Sequence, residues 1–305
     1  MKQSLQKAFP ALGTINTIRL YGENPLPAAE RIKEYVLHLD RTLSVFRPES
    51  EISVLNKNAG IRPVSVGPDT LALLKESIRY SVRTGGAFDC TVGPLTALWR
   101  RCAKENRLPS KKEILQAKKR TGYPNLLPEE FSHTAMLCQT GASVDLGGIA
   151  KGYASDRIVE MLKEEGIENA LLDLGGTITA LGKEQTIGIQ HPFAPTGTPM
   201  GTLTLKNLSA VTSGSYERFF TVNGTRFHHI IDPKTGRPSA SDLCSVTLIG
   251  EHACELDALA TGVFVLGMEK SLPLLKARNI EAIFVRTDGQ VLLTDALKDS
   301  FRLAA

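Results

Sequence analysis

Asn223-Gly224 separates two runs rich in β-branched and aromatic residues, YERFFTV and TRFHHII. An Asn-Gly pair flanked in this way predicts a two-residue hairpin, because both central residues of that turn need positive φ. A hairpin is antiparallel, so at least this third of the chain cannot be a parallel doubly wound sheet. Short strands at SVTLIG, AIFVR and QVLLT surround helices predicted at 252–267 and 269–278. Upstream, INTIRLYG reads as a strand. A helix from about Pro27 to Leu43 carries Ile32, Tyr35, Val36 and Leu39 on one stripe, and a second runs from Pro68 to Thr84 until Gly85-Gly86 stops it. The mixture predicts an α+β fold of mostly antiparallel sheets and hairpins with packed helices.

With 305 residues, 42% hydrophobic and 22% charged, the chain has length for a full core and the composition of a globular protein. The formal charge of +4 is local: Arg100 to Arg120 holds nine Lys/Arg against two Glu, so the remainder is net negative. That stretch has no interleaved aromatics and reads largely as one solvated helix, opened by a capping box from Ser110 to Glu113. Nucleic acid is therefore not an expected partner. Five cysteines without C-x-x-C or zinc spacing indicate neither a disulfide framework nor a zinc site. No run of about 18 apolar residues predicts a membrane span, and the amino terminus lacks an apolar run long enough for a signal peptide. The expected location is the cytoplasm, or the cell envelope where a leader had been removed.

No two glycines are spaced as G-x-G, and no G-x-x-x-x-G-K-[ST], G-x-S-x-G or H-E-x-x-H occurs. NAD enzymes, P-loop NTPases, α/β-hydrolases and zincins are thereby disfavoured. Four other segments place polar, ionisable or glycine residues where a fold alone would not need them. Ser143 to Gly152 reads as a strand end, a glycine pair and a helix start, with Lys151 in the first turn: a phosphate cradle or an ordinary strand-to-helix turn. In Thr84 to Pro94, a turn leading into an extended segment, Asp89 beside Phe88 either meets a purine or flavin edge or caps the turn. Strand alternation puts Phe227, His229 and Ile231 on one face and Arg226, His228 and Ile230 on the other, so one imidazole lies among apolar neighbours and the two histidines are not expected to share a metal. In the apolar helix Glu255 to Leu266, Asp257 and Thr261 stand four apart on one face. Their oxygens suit Mg²⁺, or they are a helix cap and its decoration.

These segments together resemble the ApbE family of FAD:protein FMN transferases. The resemblance runs through LGT (12–14), LSVFRPESEISVLN (43–56), AFDCTVGPL (87–95), VDLGGIAKGYASD (144–156), VTSGSYERFF (211–220), HHIIDPKTGRP (228–238) and LDALATGVFVLG (256–267). It implies one ApbE-like domain over 1–305 that binds FAD with Mg²⁺ and transfers FMN to a threonine hydroxyl of an acceptor flavoprotein, releasing AMP. It also implies that Leu12, Phe46, Ala87, Phe88, Asp89, Asp145 and Lys151 surround FAD. By the same likeness the Gly148 backbone oxygen, Asp257 and Thr261 hold Mg²⁺, and His229 is the base. Leu12 stands where the family usually has Met, Thr177 where Asp or Asn is common, and Ser215 where Asp is frequent. A Mg²⁺-dependent FAD pyrophosphatase and a non-enzymatic FAD carrier are the alternatives.

Overall fold

The computed structural model describes residues 3–216 and 219–304. Its centre is an eight-stranded sheet of, in spatial order, Gln3–Ala11, Thr14–Gly22, Asn169–Asp173, Thr177–Leu181, Leu208–Gly214, Leu243–Gly250, Glu281–Arg286 and Val291–Leu293. Every neighbouring pair is antiparallel. Eight α-helices accompany it among the described residues: α1 (Leu26–Leu43), α2 (Glu51–Lys57), α3 (Pro68–Arg83), α4 (Gly93–Lys104), α5 (Lys111–Lys119), α6 (Ala150–Glu164), α7 (Ala253–Leu266) and α8 (Met268–Lys276). The α+β expectation is met.

Every residue of Leu243–Gly250 is buried, so this strand is covered on both faces. Val246 and Leu248 join the main core, which the helices complete. Ile249, with Ile283 and Val285 of the neighbouring strand, faces a second cluster built on the three-stranded sheet of Gln185–Gln190, Pro199–Leu205 and Phe301–Leu303. The predicted stripe on α1 is present: Ile32, Val36 and Leu39 are buried, and Tyr35 donates to Asp69. An apolar helix with no polar face must lie inside. All residues from Ala253 to Ala260 of α7 are accordingly buried.

Two local expectations need correction, and a third is met. The basic stretch is two helices, α4 and α5, because the chain turns through Asn106 at a φ of 48° before Ser110 caps the second helix. Residues 84–92 form successive turns rather than an extended segment, and Ser143 makes only an isolated bridge to Val92 before the glycine pair. The Asn-Gly hairpin forms with positive φ at both residues, pairing Phe219–Val222 with Thr225–His228 outside the main sheet. Glu217 and Arg218 of its first arm lie outside the described residues.

Candidate active site

The site begins where α6 meets α7. Gly152, in the first turn of α6, has no room for a side chain: a Cβ there would lie 2.2 Å from the Ala253 carbonyl oxygen and 2.7 Å from the Asp257 Cβ. This close approach lets the buried Asp257 carboxylate accept the Gly152 amide at 2.9 Å, with the Lys151 ammonium 3.4 Å away. One turn further along α7, Thr261 turns its hydroxyl toward the glycine pair, 3.1 Å from where a Gly148 Cβ would stand. Asp257 and Thr261, four apart on α7, thus lie on the face that meets the first turn of α6 and the glycine pair before it.

The amino end of α7 is held from both sides. Asp156 accepts the Ala253 and Cys254 amides at 2.8 and 2.9 Å, and burial pushes its carboxyl up to about 6. Glu255 is buried between Arg83 at 3.2 Å and Arg278 at 3.0 Å.

The loop before α6 is tied in turn to two other segments. Asn56, at the end of α2, donates to the Val144 carbonyl at 2.9 Å and accepts the Val144 amide at 2.7 Å. The Asp145 amide donates to the Cys90 carbonyl at 2.7 Å, and the Asp145 side chain accepts the Gly147 amide at 3.0 Å. Asp89 takes the turn-capping role: one carboxylate oxygen accepts the Thr91 amide and hydroxyl, the other the Tyr123 amide, and burial raises its pKa. Ala87 and Phe88 are also buried, and Phe88 packs between Gly148 and Gly262 of α7. With all three side chains turned inward, this segment presents shape and backbone rather than an aromatic face.

Leu12 and Phe46 lie on another edge. Leu12 holds a φ of 52° in the turn of the first hairpin, a left-handed conformation that costs a leucine about 1 kcal/mol or more. Its amide donates to Asp40 at 2.7 Å. Phe46 is 73% exposed, with the Arg100 guanidinium 4.9 Å from its ring centre. Among the departures from the family pattern, Ser215 donates to the Cys244 carbonyl at 3.2 Å, and Thr177 is buried with its hydroxyl unpaired.

His228 ends its strand and His229 follows in a bend. The His228 Nε2 lies 3.0 Å from the Ser239 carbonyl and its ring meets Phe264 of α7 edge-on at 5.4 Å, so burial lowers its pKa. Phe227 and Ile231 pack against Trp99 and its neighbours, while Ile230 enters the main core. The predicted alternation holds for these apolar residues, but the strand ends at His228, so His229 leaves its register in the bend and is half-buried.

Among the described residues, no three His, Cys, Asp or Glu side chains gather to hold a metal ion. Asp257, Thr261 and the Gly148 backbone would offer a set of another kind, one carboxylate with two neutral oxygen donors. Such a set fits Mg²⁺, which takes few carboxylates and shares its sphere with water and phosphate.

A family model described as the ApbE family matches residues 12–284. The chain belongs to the ApbE family. Curated ApbE relatives include the FAD:protein FMN transferase of Treponema pallidum, 34% identical over 97% of this chain and 88% of that protein. That of Klebsiella pneumoniae is 35% identical over 93% and 89%. The structure resembles the ApbE protein of Thermotoga maritima with a TM-score of 0.88 at 33% identity, covering 98% of this chain and 99% of that one. The flavin transferase ApbE of Vibrio cholerae gives 0.84 at 27% identity, over 98% and 100%. No helix of the described residues is long and apolar enough to cross a membrane.

Sequence reasoning missed Asn56, Trp99 and Asp156, whose partners lie 88, 137 and 97 residues away in the chain. Of these Asn56 and Asp156 carried a signal, as the last residues of the quoted segments 43–56 and 144–156, and Trp99 carried none.

Proposed function

We propose that this chain transfers FMN from FAD to a threonine hydroxyl of an acceptor protein in a Mg²⁺-dependent reaction, releasing AMP. The observation that carries this reading is the meeting of Lys151, Asp257, Thr261 and the Gly147-Gly148 loop at the start of α6. A helix start with a glycine pair and a lysine is suited to a diphosphate. A Mg²⁺ held by Asp257, Thr261 and the Gly148 carbonyl would neutralise charge on that diphosphate.

In this reading His229 takes the proton from the threonine hydroxyl as its oxygen bonds to the FMN-side phosphorus. The bond from that phosphorus to the bridging oxygen breaks, and AMP leaves with the electron pair. Lys151 stabilises the charge on the departing phosphate. Leu12, Phe46, Asp145 and the Ala87 to Asp89 segment form the walls for FAD, the last through its backbone because its side chains are buried. The whole chain acts as one domain, a reading supported by a central sheet that draws strands from residue 3 to residue 293. It works in the cytoplasm.

The test is incubation with FAD, Mg²⁺ and a threonine-bearing flavoprotein domain, followed by mass spectrometry of that domain. A covalent FMN adduct on threonine supports transfer. Free FMN and AMP without an adduct would make the chain a pyrophosphatase, and unaltered FAD would make it a carrier.

A further inference from the structure

Trp99, the chain's one tryptophan, is 2% exposed and has no part in the chemistry above. Its indole nevertheless touches the histidine segment at two points. The ring packs on Phe227, two residues before His229, with centroids 5.7 Å apart and planes at 40°. The Nε1–H donates to the Gly236 carbonyl at 2.8 Å, seven residues after it. Ile231, between these anchors, is buried in the same cluster with Leu95 and Leu98.

The second anchor leaves no play. Gly236 has a φ of 72°, and a Cβ there would lie 2.6 Å from Ile114 Cγ2 and 3.1 Å from Leu95 Cδ2. Its amide closes the turn onto the Asp232 carbonyl at 2.8 Å. Helices α4 and α5 thus grip both ends of the segment from 227 to 236, and α7 holds it from the other side through His228 and Phe264. We infer that Trp99 is a positioning residue that sets where the His229 imidazole stands. The inference rests on the reading of His229 as the base.

A general base must come within hydrogen-bond reach of its proton, and a displacement of about 1 Å can cost roughly 10²-fold in rate. An indole that packs on one flank and hydrogen-bonds the other fixes that distance. Replacement by phenylalanine keeps most of the ring volume but leaves the buried Gly236 carbonyl without its donor.

The experiment compares Trp99→Phe with the parent and with Phe301→Leu, a destabilising change in the separate cluster around Leu203 and Leu297. Transfer kinetics, FAD affinity and melting temperature are measured. The His229 imidazole is followed by NMR titration, its signal identified by its loss in His229→Ala. Trp99→Phe should lower kcat by about 10-fold or more while acceptor KM and FAD affinity stay within about 2-fold, and should move the His229 titration. Phe301→Leu should lower the melting temperature but leave kcat and the His229 signal unchanged. An unmoved His229 signal, or a kcat loss no larger than that of Phe301→Leu, overturns the inference. If Trp99→Phe does not fold, Phe227→Leu removes the other anchor and is read the same way. A parent without transferase activity would refute the proposed function, while the NMR comparison would still decide whether Trp99 holds His229.

Discussion

The Asp257 carboxylate accepts the Gly152 amide at 2.9 Å and so welds α7 to the first turn of α6. In the proposed mechanism this one group would have two duties, a structural one toward Gly152 and a ligand's duty toward Mg²⁺. Asp257→Asn separates them, because an amide oxygen still accepts the Gly152 N–H but brings no negative charge. Asp257→Asn is expected to fold and to lose transfer, as is the parent in excess EDTA. Asp257→Ala is expected to lose transfer also, with an added stability cost from the unpaired Gly152 amide. Circular dichroism with the transfer assay checks both, and full activity in EDTA would remove the metal from the mechanism.

Gly152 is the reciprocal case. A methyl group there would meet the Ala253 carbonyl, which is backbone and cannot rotate away. Gly152→Ala should cost about 1–3 kcal/mol as an overpacked contact. It should also weaken transfer, since any relief moves Asp257 from Lys151. Urea unfolding measures the first effect. A variant as stable as the parent would mean that the two helices are not in this contact in solution.

Asp156 carries a pH signature. Its folded-state pKa is raised to about 6, above the ordinary 3.8, because burial disfavours its charge. Between these values the folded chain binds a proton that the unfolded chain does not, so this group's contribution to stability rises as pH falls from about 7 toward 4. His228 acts in the opposite sense. Burial lowers its pKa, so its neutral form favours folding above about 6.5 and that contribution is lost below. The two are separated by comparing the parent with Asp156→Asn: the parent should gain stability relative to the variant between pH 7 and pH 5. A difference in unfolding free energy that does not change with pH would contradict the burial assigned to Asp156.

What the sequence made legible was local. The Asn223-Gly224 turn is specified by two residues, and the facing of Asp257 and Thr261 by helical spacing, so both could be read without the rest of the chain. The boundary inside the basic stretch was harder, since only Asn106 at positive φ splits α4 from α5 and the charge pattern runs across the break. The strand Gln3–Ala11 went unread because its alternation is broken by Lys7 and Ala8. Asn56 with Val144 and Trp99 with Gly236 depend on tertiary closure, for which a single sequence has no period. Phe88 and Asp89 were open between ligand contact and turn; the hydrogen bonds of Asp89 to Thr91 and Tyr123 show the turn.

The nucleotide preference follows from what is absent as well as present. The sequence has no G-x-G or P-loop, and in the proposed reading the diphosphate would instead rest on the Gly147-Gly148 loop with Lys151, against which Phe88 packs. Calorimetry in Mg²⁺ should detect FAD and give markedly weaker heats with ATP or NAD. Micromolar ATP binding without FAD binding would contradict the flavin assignment.

The two adjacent histidines give the sharpest separation between fold and chemistry. His228 faces inward, its Nε2 at the Ser239 carbonyl and its ring on Phe264. His228→Ala should therefore lower stability by about 1–3 kcal/mol through a lost hydrogen bond and a cavity, with a smaller effect on turnover. His229 lies beyond the strand end, between anchors on either side, and carries the proposed proton transfer. His229→Ala should keep the fold and FAD binding but lose transfer by about 10²-fold or more, the range expected for removal of a general base. The rate of covalent flavin appearance on the acceptor at saturating FAD, with melting temperatures for both variants, decides the matter. Parent-like turnover in His229→Ala would refute the base. Loss of transfer in a fully stable His228→Ala would instead move the base to the residue the structure buries.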